Sequence, residues 1–408
     1  MDQQEEQQRM RFVIELGRAL HQCGASSQRI ETHLTNVTRM LGLNGQFLFS
    51  PTGFTCVFWT DDAFDQKIHI ERVSPGDLNL GRLWMIDDMV ESMERGNLGL
   101  AQAMVELARL ENAPPLYPPF MHGCGWALTG GSFAALLSGD WNDVIASAFL
   151  SMMTFLLFLL STRHQRLSSL LTIVAPFLSG LLSQLVFSLG LAINVPFVSL
   201  SSILVFIPGL SLTVAMSEIS ARQLISGSSR LVEAMMNLLL LLFGAIMGIS
   251  LASWLRQPAE AIVNQWPMGE GKNWPSAMLL SMSLTVAFNI PWRKAVWGMI
   301  ACALAYGVSQ SIGQSFGMIA GMFVGAMAVG LFSNAFARIS KAPSSVISTQ
   351  GIILLVPGST TYMILNQWIA GTAVLPTVTI GSQALMLFVA LVAGLLFANA
   401  LLPPGKSL

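Results

Sequence analysis

The chain has 408 residues, of which 53% are hydrophobic and only 11% are charged, with a formal net charge of −1. Because soluble proteins carry about 25% charged residues, this composition excludes an ordinary soluble protein and indicates a membrane protein. The charges are uneven, since 26 of the 43 Lys, Arg, Asp and Glu residues lie in residues 1–112. The two parts of the chain are therefore expected to face different solvents.

The start of the chain, "MDQQEEQQRM", is acidic and polar, and it lacks the apolar segment of a secretory signal, so we predict no cleaved leader. The four cysteines are scattered without a CxxC pair, as suits a reducing cytoplasm. The five histidines show no ligand spacing such as HExxH. We therefore expect no metal site, no cofactor and no disulfide framework.

Residues 1–112 are predicted to form a small α/β domain. Two segments, "QQRMRFVIELGRALHQCG" and "SSQRIETHLTNVTRMLG", have apolar residues three and four apart, which predicts amphipathic helices. Ser26 or Ser27 is expected to cap the second helix, and Gly42 to close it. "QFLFS", "GFTCVFWT" and "QKIHIERV" read as strands. Two further helices, near 79–95 and 98–111, complete the domain, and a proline-rich linker follows at 113–119.

Beyond the linker, apolar stretches of about 20 residues recur, the length that crosses roughly 30 Å of hydrocarbon. We predict ten spans near 120–138, 142–161, 168–189, 196–216, 231–254, 274–290, 294–313, 315–335, 346–366 and 381–402. If residues 1–112 lie in the cytoplasm, nine Lys or Arg residues fall in the cytoplasmic loops and the C-terminal tail. The outside loops contain two, Arg256 and Lys272. This asymmetry predicts both termini in the cytoplasm.

The fourth predicted span is interrupted by Pro208 and Gly209, and a second Pro-Gly pair, Pro357 and Gly358, lies 149 residues later in the ninth. Shifting the first five spans by this distance places them on the last five. Five spans per half is an odd number, so the halves must have opposite orientations. We predict a mainly α-helical polytopic membrane protein with two inverted five-helix repeats, at 120–254 and 274–408, joined by an outside loop at 255–273.

Paired breaks of this kind are typical of secondary transporters, with the substrate at the interruptions near the midplane. A break frees backbone groups that are costly in lipid unless something polar meets them. We therefore predict the substrate site at the breaks and the hydroxyls beside them: Pro208, Gly209, Ser211, Thr213, Pro357, Gly358, Ser359, Thr360 and Thr361. The alternative is that Pro-Gly is a packing kink whose hydroxyls bond back to their own helix.

Of the acids beyond the head, only Glu218 and Glu233 lie at the inner membrane edge or deeper. Their spacing to Arg222 and Arg230 predicts two helical ion pairs, Glu218–Arg222 and Arg230–Glu233, of the kind found at a surface rim. The alternative is that Glu218 carries a proton or contacts a substrate ammonium group. We treat the four residues as candidates for coupling.

The segment "IPGLSLTVAMSEISARQLISGSSRLVEA" resembles the signature of the threonine/serine exporter family. "GRALHQCGASSQRIETHLTNVTRMLG", "SPTGFTCVFW" and "LVPGSTTY" are similar to that family's N-terminal domain and second membrane module. The resemblance covers nearly the whole chain, with both modules on one polypeptide. The matching positions are Pro208, Gly209, Thr213, Glu218, Gly227, Arg230, Pro357 and Gly358, although the family commonly has Asp where this chain has Glu218.

The resemblance implies export of threonine and serine across a bacterial inner membrane, driven by the proton gradient. The implied partners are the small substrate, protons and the lipid bilayer, without nucleic acid, and the chain is compatible with a homo-oligomer. A dicarboxylate such as succinate is the second candidate substrate, because relatives with split modules are associated with its export. A membrane-anchored hydrolase acting through the head is the third reading, and we expect no enzyme because the head lacks a GxSxG motif.

Overall fold

The computed structural model describes residues 3–59, 66–73, 76, 79–137, 140–256, 267–269, 271–340, 344–355 and 377–403. These residues are mainly helical, with one small antiparallel sheet near the N-terminus. The residues before the linker are called the head. The helices after it are called the first half, up to residue 256, and the second half, from residue 267.

The head contains the helices and strands that its sequence predicts. Their bounds are α1 Gln3–Gln22, α2 Ser27–Met40, β1 Asn44–Ser50, β2 Gly53–Trp59, β3 Gln66–Arg72, α3 Leu80–Glu94 and α4 Leu100–Glu111. The strands pair in the order β1-β2-β3, with Phe47 opposite Cys56 and Cys56 opposite His69. Gly42 follows α2 with a φ of 72°, a left-handed conformation that glycine adopts without strain, and so confirms the predicted end of that helix.

One face of the sheet supplies the core of the head. Phe47, Phe49, Phe54 and Phe58 are buried there, and the rings of Phe49 and Phe54 stack at 4.9 Å. Alternating apolar residues produce this arrangement because successive side chains of a strand point to opposite faces. The same core contains Ile290, which is fully buried although it belongs to the second half. The head is thus packed against the membrane helices.

Every predicted span coincides at least in part with a helix. The bounds are α5 Pro119–Leu137, α6 Trp141–Ser161, α7 Gln165–Ser188, α8 Val195–Ser202, α9 Gly209–Ser220, α10 Leu224–Leu255, α11 Asn273–Ala287, α12 Trp292–Phe316, α13 Met318–Ser340, α14 Ser344–Leu355 and α15 Thr377–Leu401. Among the described residues, five helices are long and apolar enough to cross a membrane, namely α6, α7, α10, α12 and α13. The bent pair α8 and α9 makes a sixth candidate.

The prediction of ten spans is therefore supported for five or six segments. Helix α5 contains His122 and four glycines, which dilute its hydropathy, and α11 has only 15 residues. Helices α5 and α11 pack against each other, which joins the two halves.

Small residues let the membrane helices approach closely. A Cβ added to Gly180 of α7 would lie 2.3 Å from the Ala245 carbonyl oxygen of α10, and one on Gly248 would lie 2.1 Å from the Phe177 carbonyl oxygen. Helix pairs in membranes are stabilised by such close backbone packing rather than by the hydrophobic effect. The α7–α10 contact therefore depends on these glycines.

Candidate functional site

The fourth predicted span is a broken helix. Helix α8 ends at Ser202, a single 3₁₀ turn spans Leu204–Phe206, and α9 begins at Gly209 with Pro208 as its N-cap residue. The two pieces are bent by 60°. Pro208 has no N–H to continue the helix, so the chain cannot pass straight through this point. The interruption predicted at the Pro-Gly pair is therefore present in the first half.

Buried hydroxyls from two neighbouring helices meet the end of α8. Thr154 of α6 donates to the Ser202 carbonyl at 3.0 Å, and Ser151 donates to the same oxygen at 3.4 Å. Ser179 of α7 donates to the Ser199 carbonyl at 3.1 Å and also contacts the Ser202 hydroxyl. The last carbonyls of a helix have no partner within it, so these side chains satisfy groups that the break leaves open.

Two further buried hydroxyls, on α6 and α8, have no hydrogen-bond partner among the described residues. The side-chain oxygens of Ser147 on α6 and Ser201 on α8 are fully buried and make no hydrogen bond among the described residues. A buried hydroxyl without a partner is costly, so such groups are candidates for binding a polar ligand. Neither serine was among the predicted site residues. Ser201 belongs to the run "VSLSS" directly before the apolar residues that lead into Pro208, whereas Ser147 on α6 lies in no comparable pattern.

The hydroxyls predicted after the break behave differently. Thr213 is buried, and its hydroxyl donates to the Gly209 carbonyl of its own helix at 3.1 Å. This is the back-bonding that the packing-kink alternative expects. Ser211 is half-buried on the same helix. Pro357, Gly358, Ser359, Thr360 and Thr361 lie outside the described residues, so the meeting of two breaks stays a prediction.

Buried polar groups also occur in the described part of the second half. Gln350 of α14 donates through Nε2 to the Thr285 hydroxyl of α11 at 3.2 Å, and its backbone carbonyl accepts from the Cys302 thiol at 3.2 Å. Gln350 is almost fully buried, and its amide oxygen fills the space beside Gly298. A side chain of this polarity is rare inside a membrane bundle unless it bonds to other helices or to a substrate.

The coupling candidate Glu218 lies at the far end of α9, about 14 Å from Gly209 at the rise of an α-helix. Its carboxylate is 1% exposed. Oε1 accepts the backbone N–H of Ser27 in the head at 2.9 Å. Oε2 accepts the Ser226 hydroxyl at 2.9 Å and Arg230 Nε at 3.3 Å. The Ser27 and Ser226 hydroxyls are 2.7 Å apart.

This arrangement corrects the predicted cap of α2. Ser26 is the N-cap residue, but its side chain makes no capping hydrogen bond. Ser27 is the first helical residue, so its N–H is one of the four that a helix leaves unpaired at its N-terminus. The Glu218 carboxylate fills this position, where the helix dipole also favours a negative charge. A residue of the first half thus caps a helix of the head, 191 positions away.

Neighbouring residues extend this contact, which we call the Glu218 junction (Ser27, Glu31, Glu218, Gln223, Ser226 and Arg230). Gln223 donates to Glu31 Oε2 of α2 at 2.8 Å. Gly227 lets α9 and α10 approach, because an added Cβ would lie 2.8 Å from the Ile219 nitrogen and 2.9 Å from the Ala215 carbonyl oxygen. The "SG" of the sequence therefore supplies a hydroxyl to Glu218 and the space for the helix that carries it.

Both predicted ion pairs at helical spacing are wrong. Helix α9 ends at Ser220, and Arg222 has a φ of 64° and an exposed side chain, so it leaves the helix face that carries Glu218. Arg230 pairs with Glu218 across two helices, and Glu233 is exposed. Of the four coupling candidates, the structure brings together only Glu218 and Arg230.

Titratable groups of the head face this junction. Burial raises the pKa of Glu31, although the Phe49 N–H and the Gln223 amide favour its charged form, and the Glu218 carboxylate raises it further. Burial lowers the pKa of His21, whose ring contacts the Pro51 carbonyl and senses the charges of Arg230 and Glu218. Among the described residues, no group of three or more His, Cys, Asp and Glu side chains is placed to hold a metal ion.

Curated proteins that the chain resembles include two from fungi. "Pheromone-regulated membrane protein 10" of Debaryomyces hansenii is 25% identical over 363 residues, which cover 86% of this chain and 36% of the relative. "Uncharacterized protein C7D4.12c" of Schizosaccharomyces pombe is 23% identical over 362 residues, covering 86% and 47%. The chain thus spans between about a third and a half of these relatives' length. No solved structure matches the chain.

Two family models match the chain in sequence. The model described as "Putative threonine/serine exporter" matches residues 11–252, which include the head, the broken helix and the Glu218 junction. The model described as "Threonine/Serine exporter, ThrE" matches residues 274–401, the second half. The chain therefore belongs to the threonine/serine exporter family, and it carries both of the family's membrane modules on one polypeptide.

Proposed function

We propose that this protein is a secondary active exporter of the small hydroxy amino acids threonine and serine, and not an enzyme. Its family membership supports this class, and the broken helix in the first half carries the argument. Around that break lie buried hydroxyls, and those of Ser147 and Ser201 have no hydrogen-bond partner among the described residues. A solute with hydroxyl, ammonium and carboxylate groups matches such a site, because each group finds hydrogen-bonding partners there.

The proposal includes two inverted repeats. Helices α5 to α8 and α10 correspond in order to α11 to α14 and α15 at the offset of 149 residues. Helix α5 starts beside the head, because the Tyr117 hydroxyl just before it donates to the carbonyl of Ile290, a residue of the head core. Helix α11 ends beside the head, because Ile290 follows its last turn. The first helices of the two halves thus run in opposite directions, as an inverted repeat requires.

The proposed topology has both termini in the cytoplasm of a bacterium with the protein in its inner membrane. Loops predicted to share a side contact one another: Asp140 pairs with Pro267, and Arg338 donates to the Pro403 carbonyl at 2.9 Å. Reporter fusions after Trp141 and Pro267 should report the outside, and a fusion after Gln165 the inside. The reverse result at two of these sites would overturn the orientation.

We place the substrate at the break, between Pro208, Gly209, Ser211 and Thr213 and the hydroxyl-rich end of α8, facing the second Pro-Gly segment at Pro357 to Thr361. Coupling to protons is assigned to Glu218, with Arg230 as its counter-charge. An acid that is buried at a membrane edge and paired with one cation can release a proton when its surroundings change. Arg222 and Glu233 are exposed, so we do not include them in the coupling site.

Transport by purified protein in sealed liposomes tests the substrate class. Labelled serine, threonine, alanine and succinate would be exchanged by counterflow, with and without a pH gradient. Alanine is the matched control because it differs from serine only by the hydroxyl. A site with buried polar groups left unpaired should discriminate against it. We expect exchange of serine and threonine that exceeds that of alanine at least about 5-fold, the factor that one hydrogen bond supplies.

Two results would overturn the proposal. Preferred exchange of succinate would assign the protein to dicarboxylate export, a substrate that calls for basic groups at the site. Absence of exchange for all four solutes, together with hydrolytic activity of the full chain, would favour the enzyme reading.

A further inference from the structure

The head contacts both halves of the membrane part at the same end of the bundle. It touches the first half through the Glu218 junction, where α2 meets α9 and α10. It touches the second half at the turn between α11 and α12. There Ile290 is buried in the head core, and a Cβ on Gly81 of α3 would lie 2.0 Å from the Asn289 carbonyl oxygen. The head therefore bridges the two halves.

These two contacts differ in chemistry. At the α11–α12 turn, Ile290 is fully buried among apolar side chains of the head and Phe288 packs beside it. At the Glu218 junction, the bonds described between the head and the first half are three hydrogen bonds: Ser27 N–H to Glu218, the Ser27 hydroxyl with the Ser226 hydroxyl, and Gln223 to Glu31. Apolar surface loses its burial outright when a contact opens, whereas polar groups exchange their partners for water at a small net cost. The Glu218 junction is thus the contact that separates more easily.

The junction also holds the segment that a transporter must move. Helix α9 begins at the break and ends beside the head, so the Glu218 contact fixes the end opposite to the break. Alternating access requires one repeat to rock against the other, or a half-helix to swing at its interruption. Either motion changes the distance between α9 and the α11–α12 turn, and the head joins both.

We propose that the head is a clamp: it stays seated on the α11–α12 turn, and α2 detaches from α9 and α10 once in every transport cycle. With α2 docked on Glu218, the head-facing end of the bundle is closed. With α2 released, that end opens. Ser27 and Ser226 are the positioning residues of this clamp. The proposal rests on the proposed transport function, and it adds a role for the head.

A disulfide across the junction tests the clamp. The Ser27 and Ser226 hydroxyls are 2.7 Å apart, so cysteines at both positions fit a disulfide with a small adjustment. Of the native cysteines only Cys124 is exposed, and it would be replaced by serine in all variants. Cys23 and Cys56 are buried, which raises the pKa of each thiol to about 12 and keeps them unreactive. Cys302 is also buried.

In liposomes, the oxidised Ser27→Cys/Ser226→Cys protein should exchange serine at least about 10-fold more slowly than the same protein after reduction. The control pair is Leu48→Cys/Thr55→Cys, which are register partners of β1 and β2 and so link the head only to itself. Its exchange should not change with oxidation. Equal exchange by the cross-linked and the reduced junction variant overturns the clamp. Absence of exchange in both forms instead overturns the proposed function, and a second measurement then decides the clamp.

That measurement needs no transport. Ser226 is buried, so a cysteine at this position reacts with a soluble maleimide only while the head is detached. Ser228→Cys, at an exposed position two residues further along α10, gives the rate without protection. Gln223→Ala removes the hydrogen bond to Glu31 and should raise labelling of Ser226→Cys about 5-fold. Gln28→Ala alters an exposed glutamine of α2 and should leave the labelling rate of Ser226→Cys unchanged. Equal rates in the two alanine variants overturn the clamp.

Discussion

Replacing Glu218 with glutamine tests whether its carboxylate both docks the head and carries the proton. The amide oxygen can still accept the Ser27 N–H, because that bond needs only an acceptor. The amide nitrogen, however, would face the Ser226 hydroxyl and Arg230 Nε, which both donate to the carboxylate. The amide N–H groups would then face two other donors, whereas the carboxylate oxygen accepted from both. The buried ion pair is lost as well.

The hydrogen bonds of Glu218 give the expected loss of stability in Glu218→Gln. A hydrogen bond to a charged group contributes about 1.5–3 kcal/mol, and two such bonds to Oε2 are lost. The Arg230 side chain is 15% exposed, so water recovers part of its charge. Both bonds join α9 to α10, so we expect the free energy of unfolding to fall by about 2–4 kcal/mol, below the 3–5 kcal/mol of a fully buried pair. The unfolding temperature in detergent should fall by several degrees.

Glu233→Gln is the matched control, since Glu233 is an exposed acid on the adjoining helix. It should leave both stability and transport unchanged. Glu218→Gln should also abolish the dependence of transport on a pH gradient while leaving counterflow exchange intact. If Glu218→Gln keeps the normal response to the gradient, Glu218 carries no proton. If its unfolding temperature equals that of Glu233→Gln, the charge of the Glu218 carboxylate does not stabilise the Glu218 junction.

Three further changes probe the bundle and the head. Gly227→Ala should lower the free energy of unfolding by about 1–3 kcal/mol, because the added Cβ would lie under 3 Å from backbone atoms of α9. Gly313→Ala is the control: its Cβ would meet open space, so thermal unfolding should show no such loss. Thr154→Val should reduce serine exchange more than Thr213→Val. The Thr154 hydroxyl reaches the last carbonyl of α8 as well as the Ser151 carbonyl of its own helix, whereas the Thr213 hydroxyl bonds only within its own helix. The reverse order would place the site after the break. The salt bridge from Arg18 of α1 lowers the pKa of Glu71 from its ordinary value of 4.5. The stability that this salt bridge contributes is therefore complete above pH 4.5, and it is lost as the pH falls through the lowered pKa of the folded protein. The unfolding temperatures of the full chain and Glu71→Gln should therefore differ at pH 7 and converge as the pH falls through the lowered pKa of Glu71, and a difference that does not change with pH would contradict this account.

Local patterns predicted the elements of the head and the break because they depend on neighbouring residues. The alternation of β2 and the glycine that closes α2 act within a few positions. Pro208 has no N–H to continue a helix and Gly209 weakens one, so the break was predictable from the Pro-Gly pair, whereas Pro176 alone lies inside α7. The helical segments after the linker were also visible, since length and hydropathy are local properties.

The partners of Glu218 could not be found in the same way. The spacing rule for ion pairs assumes one continuous helix, but α9 ends before Arg222, whose backbone turns into the left-handed region. Glu218 instead meets Ser27, 191 residues away, and Arg230 on the next helix. The serines before the break were missed because a hydroxyl in a helix is equally consistent with back-bonding. Only the packing of α6 and α7 against α8 shows which carbonyls they meet.

Shortening the acid separates the two roles that Glu218 combines. Glu218→Asp keeps the charge but removes one methylene, about 1.5 Å of reach. Glutamate here spans from the Ser27 N–H on one side to Ser226 and Arg230 on the other, at 2.9 to 3.3 Å. Aspartate on the same α9 backbone cannot reach both sides, and the contact across the head interface is the one that lengthens.

We therefore expect Glu218→Asp to retain transport that responds to a pH gradient, because a carboxylate remains beside Arg230. Maleimide labelling of Ser226→Cys should rise about 5-fold or more, because the cap on α2 is weakened. Loss of the response to the gradient with unchanged labelling would mean that the position of the acid matters for the proton and not for the head. Were both properties to stay as in the parent protein, α2 must follow the shorter side chain. The head would then be a compliant partner of α9, and the clamp would depend on the charge of the acid and not on its length.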